Sequence, residues 1–200
     1  AVRSIDRNYP LNGDATATID SFFAGNDRGF GASTDDILRG LGGDDVLQGG
    51  PGYDTIFGGD GNDAIYGLND SGAFASPTEQ NYLRGDAGND TIVAGDGFDD
   101  INGNMGNDTL HGGVGDDWVV GGKDDDVQFG DAGDDVVWGN LGNDTLDGGD
   151  GADQVRGGQG DDVLTGGAGD DYISGDRGND TETGGAGADL LIKRSGAGID

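Results

Sequence analysis

The sequence predicts an all-β solenoid, and three observations carry that prediction. A nine-residue unit repeats in one unbroken frame from Gly31 to Ile192, which is 162 residues or 18 units. Position eight of the unit is apolar in 16 of the 18, the exceptions being Gln128 and Glu182. Position six is Asp in 16 of the 18, the exceptions being Gly72 and Asn81. Self-similarity at a fixed short period marks stacked repeats, in which each unit buries its apolar face only against its neighbours.

The unit reads G-G-x-G-x-D-x-U-x, with U apolar, as in GGQGDDVLT (157–165) and GGAGDDYIS (166–174). Only x-U-x, three residues, has strand character. Side chains alternate across a strand, so the apolar residue points inward and its neighbours point out. One unit buries almost nothing. Stacking at the usual strand spacing of about 4.8 Å builds facing ladders of Leu, Ile, Val and Phe.

This unit resembles the calcium-binding nonapeptide of the RTX family of secreted bacterial proteins, and the resemblance spans about four fifths of the chain. It implies a right-handed parallel β-roll in which two nonapeptides form one 18-residue turn, each giving a loop and a short strand, with calcium between loops. The repeat then amounts to about nine turns. The resemblance further implies type I secretion in an unfolded state, folding on millimolar external calcium, and a secreted or cell-surface location.

The chemistry of the loop agrees. Its glycines permit positive φ and close backbone approach, which lets carbonyls face a shared point. The Asp adds a hard anionic oxygen, and six to eight carbonyl and carboxylate oxygens suit Ca²⁺ better than Mg²⁺. Softer metals take Cys or His, and the chain has no Cys and one His. With 18 residues per turn, one edge is expected to run Asp36, Asp54, Asp90, Asp108, Asp126, Asp144, Asp162, Asp180. The other is expected to run Asp45, Asp63, Asp99, Asp117, Asp135, Asp153, Asp171, Asp189. Six intact pairs on each edge give about a dozen Ca²⁺. Backbone carbonyls of the position-four glycines Gly97, Gly106, Gly115, Gly133, Gly142, Gly151, Gly160 and Gly169 are the expected co-ligands. Asp124, at a glycine position, is expected to weaken or reshape the sites it joins.

Taken in order, residues 1–30 precede the frame and carry Tyr9, Leu11, Ile19, Phe22, Phe23 and Phe30. They read as an N-terminal cap over the open end of the stack, or as a docking segment. Residues 31–192 are the roll. Within it, residues 67–84 lose most of their glycines yet keep the length of two units, and read as one degenerate turn with Phe74 and Leu83 still apolar. That turn should interrupt both aspartate rows. Residues 193–200 form a C-terminal tail.

Charge bounds the function classes. Asp plus Glu number 40 against 10 Lys plus Arg, a formal charge of -30. Such a chain repels nucleic acid and anionic membranes, and calls for cations. Low hydrophobicity at high net charge predicts disorder until they arrive. About twelve divalent ions would add about +24 and nearly balance the molecule. No apolar run reaches the length of a membrane span. No catalytic signature is present: His111 is the single histidine, so no H-E-x-x-H exists, and the Asp-Asp doublets recur at one phase instead of forming one acid-base pair. We expect no enzymatic activity. We expect a structural, display or adhesive module. The alternatives are a non-catalytic C-terminal module of a larger secreted enzyme, or an assembly subunit of a surface layer, appendage or particle. Outward aromatics Tyr66, Trp118, Trp138 and Tyr172 fall on one sheet in this frame and read as a surface for self-association or a protein partner.

Overall fold

The computed structural model describes residues 17–19, 25–31, 33–67 and 80–192. All regular structure among them is strand. In chain order the strands are β1 (Ala17–Ile19), β2 (Arg28–Phe30), β3 (Asp36–Gly42), β4 (Val46–Gln48), β5 (Thr55–Asp60), β6 (Ala64–Tyr66) and β7 (Tyr82–Ala87). Then follow β8 (Thr91–Asp96), β9 (Asp100–Met105), β10 (Thr109–Val114), β11 (Trp118–Lys123), β12 (Val127–Ala132) and β13 (Val136–Leu141). The last are β14 (Thr145–Asp150), β15 (Gln154–Gln159), β16 (Val163–Ala168), β17 (Tyr172–Arg177), β18 (Thr181–Ala186) and β19 (Leu190–Leu191). Odd strands form a ten-stranded sheet and even strands a nine-stranded sheet, with parallel neighbours throughout. The chain thus winds as a parallel β-solenoid of about eight turns.

Most strands have six residues where the sequence suggested three. The ladder continues past x-U-x through the first glycine to position three. In β10 the inward residues are Leu110 and then Gly112. An added Cβ on Gly112 would collide with the Asp117 carboxylate and the Gly130 carbonyl. The first glycine therefore fills an inward position that has no room for a side chain.

The core is a double file of position-eight residues. Leu38, Leu47, Ile56, Ile65, Leu83, Ile92, Ile101, Leu110, Val119, Val137, Leu146, Val155, Leu164 and Ile173 are buried. Gln128 occupies the same position and is equally buried. Its Nε2 donates to the Trp138 carbonyl across the roll at 3.0 Å, while its Oε1 has no partner.

The register corrects two expectations. Between β5 and β7 the step is 27 residues: Ile56 sits beside Leu83, and Ile65 beside Ile92. Residues 67–84 are therefore not one degenerate turn. Only the second of the two weak units contributes a strand here, through Leu83; Phe74 lies outside the described residues. A surplus of nine residues is half a turn, so every unit downstream changes edge relative to the simple count. The solenoid also starts before Gly31. β1 and β2 pair with β3 and β4, and Asp27 enters the stack. The rest of the expected cap and the 193–200 tail lie outside the described residues. No helix among those residues is long and apolar enough to cross a membrane.

Candidate metal centre: two edges of stacked carboxylates

Each position-six aspartate sits where a loop enters a strand. Its backbone N–H donates to Oδ1 of the position-six residue one turn ahead, and the pattern repeats along both edges. One edge runs Asp27, Asp45, Asp63, Asp90, Asp108, Asp126, Asp144, Asp162, Asp180, eight steps at 2.7–3.0 Å. The other runs Asp36, Asp54, Asn81, Asp99, Asp117, Asp135, Asp153, Asp171, Asp189. The sequence frame joined Asp54 to Asp90 and Asp63 to Asp99. The 27-residue step instead joins Asp63 to Asp90 at 2.8 Å and places Asn81 between Asp54 and Asp99. Only one row is interrupted, not both.

The second carboxylate oxygen is the informative atom. Oδ2 of Asp45, Asp63, Asp90, Asp108, Asp126, Asp144 and Asp162 is buried without a hydrogen-bond partner, as is that of Asp117, Asp135, Asp153 and Asp171 on the other edge. A buried oxygen left unsatisfied costs about 1–3 kcal/mol, more when charged. Repeating that cost in turn after turn is untenable unless something fills the role of partner.

The carboxyls register the same deficit. Burial, opposed by the backbone hydrogen bond each accepts and reinforced by neighbouring carboxylates, pushes Asp117 and Asp126 up to about 8. Asp90 and Asp135 rise to about 7, and Asp63, Asp108, Asp144, Asp153 and Asp162 to about 6. Without a cation, these groups resist ionisation at neutral pH.

Backbone oxygens lie close by. Gly97, Gly115, Gly133, Gly151 and Gly169 stack on the edge of Asn81; Gly106, Gly142 and Gly160 stack on the uninterrupted edge. Among the described residues none of these eight carbonyls accepts a backbone hydrogen bond outside the strands. The spacing depends on glycine: Gly115 has φ 142°, and a Cβ there would strike the Gly97 carbonyl. Asp124 takes the same position with φ 75°, and its Oδ2 accepts from the Gly106 N–H at 3.3 Å. Among the described residues no three Asp, Glu or His side chains converge as a metal cluster. A cation here would draw on one or two carboxylates and complete its shell with carbonyls, which is hard-cation chemistry. The orphaned Oδ2 atoms fit Ca²⁺.

Position five was read as a tolerated, solvated neighbour. It is a second ladder, exposed to solvent. Oδ1 of Asp170 accepts from the Ala188 N–H at 2.8 Å, and Oδ1 of Asn143 from the Asp161 N–H at 2.9 Å. The doublet itself was the available signal, since Asn and Asp share an acceptor oxygen. Asp27 was missed because its unit, FFAGNDRGF, keeps Gly25 and Asp27 in phase but has Gly29 at the apolar position.

The outward aromatics divide between sheets. Trp118 (β11) and Trp138 (β13) meet edge to face, with ring centroids 5.5 Å apart, and Tyr172 (β17) shares their sheet. Tyr66 (β6) lies on the opposite, nine-stranded sheet, again because of the 27-residue step. His111 stacks on Phe129 at 4.5 Å and contacts Asp131 at 3.1 Å on the outer face of that sheet, apart from both rows.

The fold and its paired ladders define a class: parallel β-solenoids whose loops present inward carboxylates and free carbonyls once per turn. The profile of the RTX calcium-binding nonapeptide repeat matches the chain in overlapping segments from residue 23 to 191, among them 23–55, 84–119, 111–146 and 156–191. The chain belongs to that family of calcium-binding repeats. No individual curated protein matches it.

Proposed function

We propose that this chain is a calcium-stapled rod that folds when Ca²⁺ enters the two edges, and that it serves outside the cell as a structural, display or adhesive module. The observation that carries the reading is the buried, partnerless Oδ2 in turn after turn. Asp45, Asp63, Asp90, Asp99, Asp108, Asp117, Asp126, Asp135, Asp144, Asp153, Asp162 and Asp171 are the interior ligands, with Asp27, Asp36, Asp54, Asp180 and Asp189 toward the ends. Position-four carbonyls complete each shell. The uninterrupted edge offers eight Asp-to-Asp steps and the other six, close to the dozen ions expected from sequence. Extracellular modules work at calcium Kd values of roughly 10⁻⁴–10⁻³ M, which suits a fold that waits for the outside of the cell. Circular dichroism during a calcium titration tests this: a coil-to-β transition is expected, and full β structure in excess chelator would sink it.

A second reading, self-association of copies side by side, rests on the distribution of surface groups. Among the described residues, five of the six Lys and Arg (Arg39, Arg84, Lys123, Arg156, Arg177) lie in strands of the ten-stranded sheet, with Trp118 and Trp138. The nine-stranded sheet carries Asp131 and Asp147 at the same level of the stack. Two copies share one rung spacing, so the first face of one can register on the second face of another. Light scattering in calcium should show salt-sensitive oligomers that W118A/W138A abolishes. A strict monomer at high concentration contradicts the idea.

A further inference from the structure

Asn81 is the one described position-six residue that is not Asp. It is as buried as its neighbours, and it preserves their hydrogen bonds. Its Oδ1 accepts from the Asp54 N–H at 3.0 Å, and its own N–H donates to Asp99 Oδ1 at 2.6 Å. That acceptor role fixes the amide orientation, because the Asp54 N–H can bond only to oxygen. Nδ2 must then take the place of Oδ2. A Cβ added to Gly67 would meet Asn81 Nδ2, whereas one on Gly49, Gly85 or Gly103 would meet an aspartate Oδ2. The amide nitrogen is buried and has no partner.

An amide N–H₂ is a donor without acceptor capacity, so it cannot ligate a hard cation. The rung also lacks the negative charge that each other rung supplies. We infer that the intervals on either side of Asn81 hold no calcium, so that this edge is divided into a lone Asp36–Asp54 step and a run from Asp99 to Asp189. The inference rests on the calcium reading above. It adds that the solenoid comprises two calcium-dependent blocks, β3–β6 and β9–β17, clamped together across the break only by the Asp63–Asp90 edge and the core. In a stacked repeat, stability depends on nearest neighbours. The first block has one Asp-to-Asp step on this edge and no neighbour to reinforce it, so it orders at higher calcium than the second.

The experiment is a calcium titration of the full chain read by hydrogen exchange, with bound calcium counted by elemental analysis, for wild type, N81D and N81A. In wild type, amides of β3 and β5 should gain protection at a severalfold higher calcium concentration than those of β11–β15. N81D should bind about one or two more ions per chain and draw the two midpoints together. N81A, which removes the amide without adding charge, should leave the ion count unchanged. Equal midpoints in wild type, an unchanged count in N81D, or failure of N81D to fold in calcium each overturns the inference. Failure of the wild type to bind calcium at all would instead strike the function proposed above.

Discussion

The two edges of the solenoid use the same hydrogen bond and differ at one residue. On the uninterrupted edge every position-six residue from Asp27 to Asp180 combines an Oδ1 that accepts from the neighbouring turn with an Oδ2 that faces inward. On the other edge Asn81 retains the first atom and replaces the second. The contrast separates two roles that aspartate combines elsewhere. Backbone alignment needs only an oxygen acceptor, so Asn suffices and the register runs through Asn81 undisturbed. Cation holding needs the second oxygen and the charge, so Asn fails. The two roles can be broken independently.

The largest effect is expected from removing calcium altogether. Chelation should unfold both edges, seen as loss of the β signal in circular dichroism, because self-repulsion among 40 acidic residues then acts on a chain with a thin core. Next comes a transplant of the Asn81 break onto the intact edge. D126N keeps the Oδ1 acceptor for Asp108 and deletes the inner oxygen, so calcium stoichiometry should drop by about one or two ions and the calcium midpoint should rise. If D126N binds as many ions as wild type, the equivalence of the two edges is wrong.

A pH series in chelator should reveal the cation's absence from the opposite side. The buried carboxyls are raised from the ordinary value of 3.8 to about 8 for Asp117 and Asp126. A raised acid favours the folded state when protonated, so their contribution is fully present below about 4 and is lost as pH rises through about 8. Calcium-free chain should therefore gain β structure on acidification from pH 8 toward 4, and monotonic loss would contradict this. In calcium the order reverses, because protons compete for the same oxygens and the midpoint should rise below about pH 6. The smallest effect belongs to the exposed outer ladders. N143A on one edge and D170A on the other each remove an acceptor for a single N–H, and should cost about 0.5–1 kcal/mol by thermal melting in calcium. A loss of bound ions in either variant would mean that position five reaches the metal.

Much of this was legible in sequence because period, apolar phase and acidic phase are each read from single positions. Leu38 through Ile173 were marked for the core by position eight alone. The metal-ligand candidates were marked by position six. Edge membership was harder, since a period of nine carries no record of which half of the turn a unit occupies. Asp54 and Asp90 share a parity of count and yet lie on different edges, and Tyr66 parted from Trp118 for the same reason. Nothing in residues 67–84 states that one unit contributes a strand and the other does not; that depends on which units bury an apolar residue in the stack. Gln128 broke the apolar pattern visibly, but its bond to the Trp138 carbonyl required the facing strand to be in place.

The 27-residue step has a consequence for how such rods diversify. Adding or removing one nonapeptide leaves the core files intact and turns everything beyond it halfway round the long axis, like a turret with two detents. Surface chemistry encoded downstream is then shown to the opposite side of the rod with no change in its own sequence. Length variation by single repeats is thus a steering operation, and an engineered deletion of residues 67–75 offers a direct way to choose which way Trp118 and Trp138 face relative to the first turns.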